Sequence, residues 1–246
     1  MPSIPYCGTP PAPGELLTRF NLDPVLIGML LLMAVGHRAL VRDPNLRTRA
    51  LAGWAVAAAA FVSPLCALSV ALFSARVVQH MILVLVAAPL IAAALPASIA
   101  RTSAQRLWIT TAVFFAALWF WHMPRPYDAT FTSTPLYWAM HLTLFGSSIL
   151  LWRELLHHAS GQTAVALAAG TLTSVQMGLL GATLSLAGRP LFDVHFLTAP
   201  LWGFTPLQDQ QLGGVVMWVP GILLFLWTAL RSLQRLFGVL ERTNAA

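Results

Sequence analysis

Lysine is absent from the 246 residues, and all 14 basic side chains are arginine. With no primary amine on any side chain, no Schiff base can form, which excludes retinal, pyridoxal phosphate and lysine-based covalent catalysis. Charge of either sign is scarce at 9% of residues, while 58% are hydrophobic; a typical soluble domain carries about 25% charged residues. No polar stretch is left to form a separate globular domain. Cysteine is limited to Cys7 and Cys66. There is no CxxC pair, so neither a zinc ribbon nor a thioredoxin-like site is expected. One cysteine lies in the N-terminal tail and the other inside an apolar segment, a placement that does not predict a bond between them. A nucleophile elbow and an HExxH motif are also missing, which argues against a hydrolase and for a protein that is no enzyme. Residues 1–19 are Pro-rich and polar without a basic start and apolar core, so they do not read as a cleaved signal peptide.

What is abundant is apolar runs long enough to cross a bilayer, for which about 20 residues are needed. Seven candidates run over 24–41, 50–72, 77–95, 107–121, 136–155, 164–186 and 212–233. The expected fold is all-α, a polytopic membrane bundle of seven transmembrane helices. Its parts are a polar Pro-rich tail at 1–20, the transmembrane domain at 21–238 and a cytoplasmic tail at 239–246. Arginine sets the orientation. With the N-terminus outside and the C-terminus inside, ten arginines fall on the cytoplasmic side (Arg38, Arg42, Arg47, Arg49, Arg101, Arg106, Arg153, Arg231, Arg235, Arg242) and four outside (Arg19, Arg76, Arg125, Arg189). The net charge of +6 is thus explained by membrane orientation, and nucleic acid is not expected as a partner. Membrane lipid is.

Three His-Met pairs stand at the mouths of three apolar segments on one side: His80-Met81, His122-Met123 and Met140-His141. Chance placement would yield about half an adjacent pair in a chain of this composition. Imidazole and thioether suit copper, thioether especially Cu(I). At 1.5 Å rise per residue the three histidines lie at similar depth, within about 10 Å of the outer boundary. Adjacent helical residues point about 100° apart, so a His and its neighbouring Met cannot both face one seam. The expected ligands are therefore His80, His122 and His141, with Met81, Met123 or Met140 as auxiliary donors. Asp128, Asp209, Gln79 and Arg76 are expected around them. Arg76 sits four residues before His80, where a guanidinium repels a cation; an ion pair with Asp128, Asp193 or Asp209 is the preferred reading. The plainer readings are interfacial hydrogen bonding for a lone His, packing for Met, and a helix N-cap for Asp209.

Four segments together resemble the multi-span CtaG family of cytochrome c oxidase assembly factors. They are Ser63-Pro64-Leu65 with Leu72-Phe73-Ser74 and Val78-Gln79-His80-Met81; Trp121-His122-Met123-Pro124 with Tyr127-Asp128; His141 with Phe145 and Trp152; and Asp209-Gln210-Gln211-Leu212-Gly213-Gly214 with Met217-Trp218-Val219-Pro220. The resemblance implies a bacterial inner-membrane protein that matures a haem-copper oxidase by helping copper reach it. Its partners would then be an oxidase subunit or a periplasmic copper chaperone. The chain departs from the family at Arg76-Val77, where members often carry His-Met.

Two other classes compete. A haem-binding electron-transfer protein needs axial His on facing helices, and near the cytoplasmic side only His37 lies within a span. A copper or proton transporter needs a polar route across the midplane. There the chain offers Thr171, Thr173, Ser174, Gln176 and a kink at Pro220 but no carboxylate, leaving Met177 and Met217 as a stepping path for Cu(I).

Overall fold

A computed structural model describes residues 4–95, 102–158 and 160–244. The fold is all-helical, 82% helix with no strand among the described residues. Proline opens five of the ten described α-helices: Pro24–Leu40 (α1), Pro44–Val62 (α2), Pro64–Ala71 (α3), Pro124–Thr132 (α7) and Pro206–Asn244 (α10). Its fixed φ suits the first turn, where its missing N–H is not needed. Phe73–Met81 (α4), Ala88–Ala93 (α5), Ala104–Trp121 (α6), Thr134–His157 (α8) and Thr163–Ser185 (α9) complete the set.

All seven apolar stretches fall on helix, but the second breaks within itself and the fourth ends at a sharp turn. Ser63 accepts a hydrogen bond from the Leu65 amide and Pro64 opens α3, so the second stretch bends by 50° between α2 and α3. Pro124 ends α6 and turns the chain by 74° into α7, leaving His122 at the break. By length and apolar character two helices qualify as spans, Phe73–Ala93 and Thr163–Ser185, or four if each bent pair counts as one. The expected seven are thus not all matched by straight, long apolar helices, because sharp proline bends shorten some and polar or charged ends dilute others. The outward faces are nonetheless apolar. On α1, Val25, Met29, Leu32 and Val35 are all more than half exposed, a surface suited to lipid.

The third stretch is one continuous rod with a π-helical segment, Ile82–Ala87, between α4 and α5. Its cause is local. The π pattern gives the Ala88 amide to the Leu83 carbonyl; the next partner in register, for Val84, would be residue 89, a proline without an N–H. The indole of Trp152 donates to the Val84 carbonyl instead, at 2.8 Å. This ties α8 to the rod, and α6 packs on the other side of α8. The other main seam joins α9 and α10, which also leans on α4. Glycine allows that approach: a Cβ on Gly214 would meet Ser185 Oγ at 2.4 Å and the Gly181 carbonyl at 2.7 Å, and one on Gly213 the Phe73 ring at 2.5 Å.

The N-terminal segment is no loose tail. A disulfide joins Cys7 to Cys66, with Cα atoms 5.4 Å apart, contrary to the expectation from their positions in the chain. The bend at Ser63-Pro64 turns the start of α3 toward the segment, which is why a residue within an apolar run can meet one in the tail. Tyr6 donates to Asp23 Oδ2 at 2.6 Å, and the Asn21 amide to the Val62 carbonyl at 2.9 Å. The segment is a strap laid over the helix ends. Cys66→Ser, or a dithiol reductant, should release it without melting the bundle. Limited proteolysis after Arg19 should then speed up several-fold while the helical circular dichroism stays constant; an unchanged cleavage rate would contradict the staple.

Candidate metal centre

The centre is built on α4, which enters from the extended residue Leu72 with no side-chain cap of its own. Its open amides are met from another helix. Asp209 of α10 accepts the amides of Phe73 (2.7 Å) and Ser74 (3.0 Å) and the Ser74 hydroxyl. Asp209 is free for this because it does not cap its own helix. Thr205 and Gln208 form a reciprocal capping box at the start of α10, at 2.9 and 3.2 Å. Gln210 takes the Leu191 amide at 2.7 Å and donates to the Leu184 carbonyl at 3.2 Å. The polar residues of this signature therefore position α4 and α9 and touch no imidazole in their hydrogen bonds.

Two turns into α4, His80 meets His141 of α8 and His122 at the end of α6. The ring centroids are 5.2 Å apart for His80 and His141 and 5.8 Å for His80 and His122. All three rings are buried. His122 Nδ1 lies 2.7 Å from the Leu118 carbonyl and His141 Nδ1 3.0 Å from the Tyr137 carbonyl. A carbonyl only accepts, so each Nδ1 carries the proton and each Nε2 presents a lone pair. Those two Nε2 atoms, and both nitrogens of His80, have no hydrogen-bond partner. Metal-bound imidazoles commonly use this pattern, one nitrogen held by the backbone and the other offered to the ion. Imidazoles around a tetrahedral ion, with metal–nitrogen bonds of about 2.0 Å, place their centroids about 5 Å apart. The two His80 pairs stand near that spacing. Among the described residues, no group of three or more His, Cys, Asp or Glu stands in an arrangement that could hold a metal ion.

The rings continue upward. Tyr137 lies 4.3 Å from His141, centroid to centroid, and Tyr6 of the strap stacks on Tyr137 at 4.8 Å. The Tyr137 hydroxyl is 3.3 Å from Cys7 Sγ. Tyr137 escaped the sequence reading, although its place four residues before His141 put it on the same helical face. Phe61 closes another side of His141 at 5.1 Å.

The remaining expected residues divide. Met81 and Met140 are buried in the apolar core, whereas Met123 is 49% exposed at the start of α7. Gln79 is buried and donates to the Ala60 carbonyl at 2.8 Å, while its Oε1 is unpartnered. Asp128 is half-buried with Oδ1 unpartnered. The ion pair expected for Arg76 is not formed: the ion pairs among the described residues are Arg19–Glu15 and Arg153–Glu154. Arg76 instead donates to Thr130 Oγ1 (2.8 Å) and the Ser69 carbonyl (3.3 Å), and its guanidinium carbon lies 4.1 Å from the Phe131 ring centroid. His37 accepts from the Trp54 indole at 3.1 Å, a structural role on another part of the bundle.

A family model described as cytochrome c oxidase caa3 assembly factor (Caa3_CtaG) matches residues 29–237. The chain belongs to the cytochrome c oxidase caa3 assembly factor family. No curated protein and no solved structure matches the chain. The match to the assembly-factor family takes in the three histidines, Arg76 and the Asp209 segment, and leaves the Cys7 end of the strap outside.

Two outcomes follow from this geometry. Asp209→Ala should strand the amides of Phe73 and Ser74, at about 1–3 kcal/mol for an unsatisfied buried group. Hydrogen exchange at the start of α4 should accelerate at least tenfold, and equal protection in the variant would refute the cap. His195, in the loop before α10, is buried between the Tyr127 hydroxyl (2.7 Å from Nε2) and the Ala71 carbonyl (3.2 Å from Nδ1). Burial, reinforced by the Arg76 charge, pushes it down to about 3, against about 6.5 in an unfolded chain. Between those values the unfolded chain holds the extra proton, so stability should fall as pH drops from about 6.5 toward 3. His195→Gln cannot take up that proton. The difference between the two melting profiles should therefore slope by up to about 1.4 kcal/mol per pH unit, and parallel profiles would refute the assignment.

Proposed function

We propose that this chain assists the maturation of a cytochrome c oxidase by holding copper, as Cu(I), at His80, His122 and His141 and passing it to an oxidase subunit or receiving it from a periplasmic copper chaperone. The observation that carries the reading is the set of buried, unpartnered nitrogens on three imidazoles from three different helices. Imidazole is a ligand suited to copper, and a donor set without carboxylate favours a soft ion of low charge. Met81 and Met140, the core methionines beside two of these histidines in the chain, are the nearer auxiliary thioethers; Met123 at the surface suits the approach. Binding and handing over cargo requires no catalytic step, in keeping with an assembly factor that is no enzyme.

The seven helical stretches are read as seven spans, with the N-terminus outside. The ten-to-four division of arginine supports that orientation, and it sets the cluster under the periplasmic face of a bacterial inner membrane. The strap and its disulfide suit an oxidising outer compartment.

The test is metal binding by the full chain in detergent, with a chromogenic Cu(I) chelator as competitor. Wild type should retain roughly one Cu(I) per chain, and replacing His80, His122 and His141 together by Phe should weaken binding at least tenfold, the range expected on losing metal-site groups. Single His80→Phe, which removes the central ring alone, guards against misfolding of the triple variant. Equal binding by all three proteins, or none by wild type, sinks the copper reading. A Soret band in the purified protein would replace it with the haem alternative.

A further inference from the structure

We propose that Arg76 sets the charge selectivity of the histidine cluster, admitting a monovalent metal ion and penalising divalent ones. The inference rests on the copper reading above and assigns to the same site the charge class of ion it takes.

Arg76 is 1% exposed, and its charge is met by dipoles and ring faces with no carboxylate in ion-pair contact among the described residues. Thr130 Oγ1 and the Ser69 carbonyl accept its N–H groups, and Phe131 lies under its guanidinium. The carboxylate that approaches this end of α4, Asp209, is occupied by the amides of Phe73 and Ser74. Among the described residues no carboxylate is in contact with the guanidinium, so its charge is offset only in part, by these dipoles and by Asp209 beyond ion-pair distance, and the remaining field acts on the cluster. The distance is short. Arg76 is one helical turn before His80 on the same helix. Its guanidinium carbon is 5.8 Å from the Tyr137 ring centroid, which is 4.3 Å from that of His141, so it lies within about 10 Å of the His141 ring.

The three imidazoles bring no negative charge. Bound Cu(I) would leave the cluster at one positive charge, and Cu(II) or Zn(II) at two. Each added charge works against the fixed guanidinium. At about 10 Å and an effective dielectric near 20, the second charge lowers the binding constant on the order of tenfold or more. For copper, the ratio of Cu(I) to Cu(II) affinity is also the reduction potential of the bound ion, and tenfold in that ratio is about 59 mV. Arginine suits the task because it stays protonated in apolar surroundings and stacks on rings, whereas a buried lysine sheds its proton readily.

The experiment compares the full chain in detergent as wild type, Arg76→Gln, Arg76→Met and Arg76→Lys at pH 7. Affinities for Cu(I), Ag(I), Cu(II) and Zn(II) are measured by chelator competition, with the midpoint potential of bound copper. The two neutral variants should gain at least tenfold for Cu(II) and Zn(II) relative to Cu(I) and Ag(I), and the potential should fall by about 59 mV or more. Arg76→Lys, whose buried amine sheds its proton readily, should move the ratio toward that of the neutral variants at pH 7 and back toward wild type as the pH is lowered. A packing role alone would move monovalent and divalent affinities together; that result, or unchanged affinities throughout, overturns the proposal. A wild-type chain that binds none of these ions overturns the copper reading as well, and is told apart by the absence of binding in every variant.

Discussion

The carboxylate of Asp209 on the opening amides of α4 is the contact from which the centre is built. A helix that starts in apolar surroundings leaves its first N–H groups without water. Leu72 has no side chain to offer them, and the helix would fray or shift at the end that leads to Arg76 and His80. Supplying the cap from α10 turns a local deficit into a long-range tie across 136 positions of sequence. The tie is short only because Gly213 lets α10 come against Phe73 and Gly214 lets it come against α9. One signature segment therefore fixes three helices at once, through a carboxylate, an amide side chain and two missing Cβ atoms.

From that fixed start the aromatic and imidazole rings form a column: Tyr6, Tyr137, His141, His80, His122, at centroid spacings of 4.8, 4.3, 5.2 and 5.8 Å. Its upper end belongs to the strap and its lower end to the break at Pro124. The column joins segments that are otherwise remote. The strap is bonded to α3 through Cys7–Cys66, and Tyr137 stands beside that bond at 3.3 Å. Burial of the histidines is thus a product of the strap as well as the bundle.

Helix existence was plain in the sequence because it rests on short-range facts: apolar runs, and prolines such as Pro24, Pro44, Pro124 and Pro206 at the starts. The meeting of His80 with His122 and His141 was legible for the same reason, since rise per residue put all three near the ends of their apolar runs. What escaped depends on which segments meet. Seven spans were expected, with a kink at Pro220, but Ser63-Pro64 caps and bends one stretch and Pro124 turns the chain after another, and periodicity does not report the angle. Cys7 and Cys66 are separated by 59 positions, and no pattern within either segment announces the other. Asp209 was expected around the histidines, with a cap of its own helix as the plainer reading; it does neither, because Thr205 and Gln208 close that helix start and its carboxylate is taken by α4. For Arg76, three aspartates in outer segments made a salt bridge the natural expectation, and only the packing of α7 against α8 reveals the cage of Phe131, Tyr127 and Tyr137.

The buried imidazoles pose an energetic question that packing alone does not answer. An unsatisfied buried polar atom costs about 1–3 kcal/mol, and this one cluster gathers four such nitrogens from His80, His122 and His141. Among the described residues five other buried side-chain atoms also lack a partner, His37 Nε2, Gln79 Oε1, Trp119 Nε1, Asp128 Oδ1 and Trp202 Nε1, but each residue there leaves one atom open while other groups are met from a distance. The Trp54 indole reaches His37, Tyr127 reaches His195, and Trp152 reaches the carbonyl that Pro89 leaves open. Where the backbone does serve the cluster, through Leu118 and Tyr137, it takes the Nδ1 side and leaves Nε2 uncovered. Phenylalanine at these three positions would fill similar volume without the penalty. The cost is offset where something outside the chain supplies the missing interaction. Arg76 works in the opposite direction, raising the cost of every added positive charge. Together they describe a cluster of unpartnered imidazole nitrogens beside a fixed positive charge.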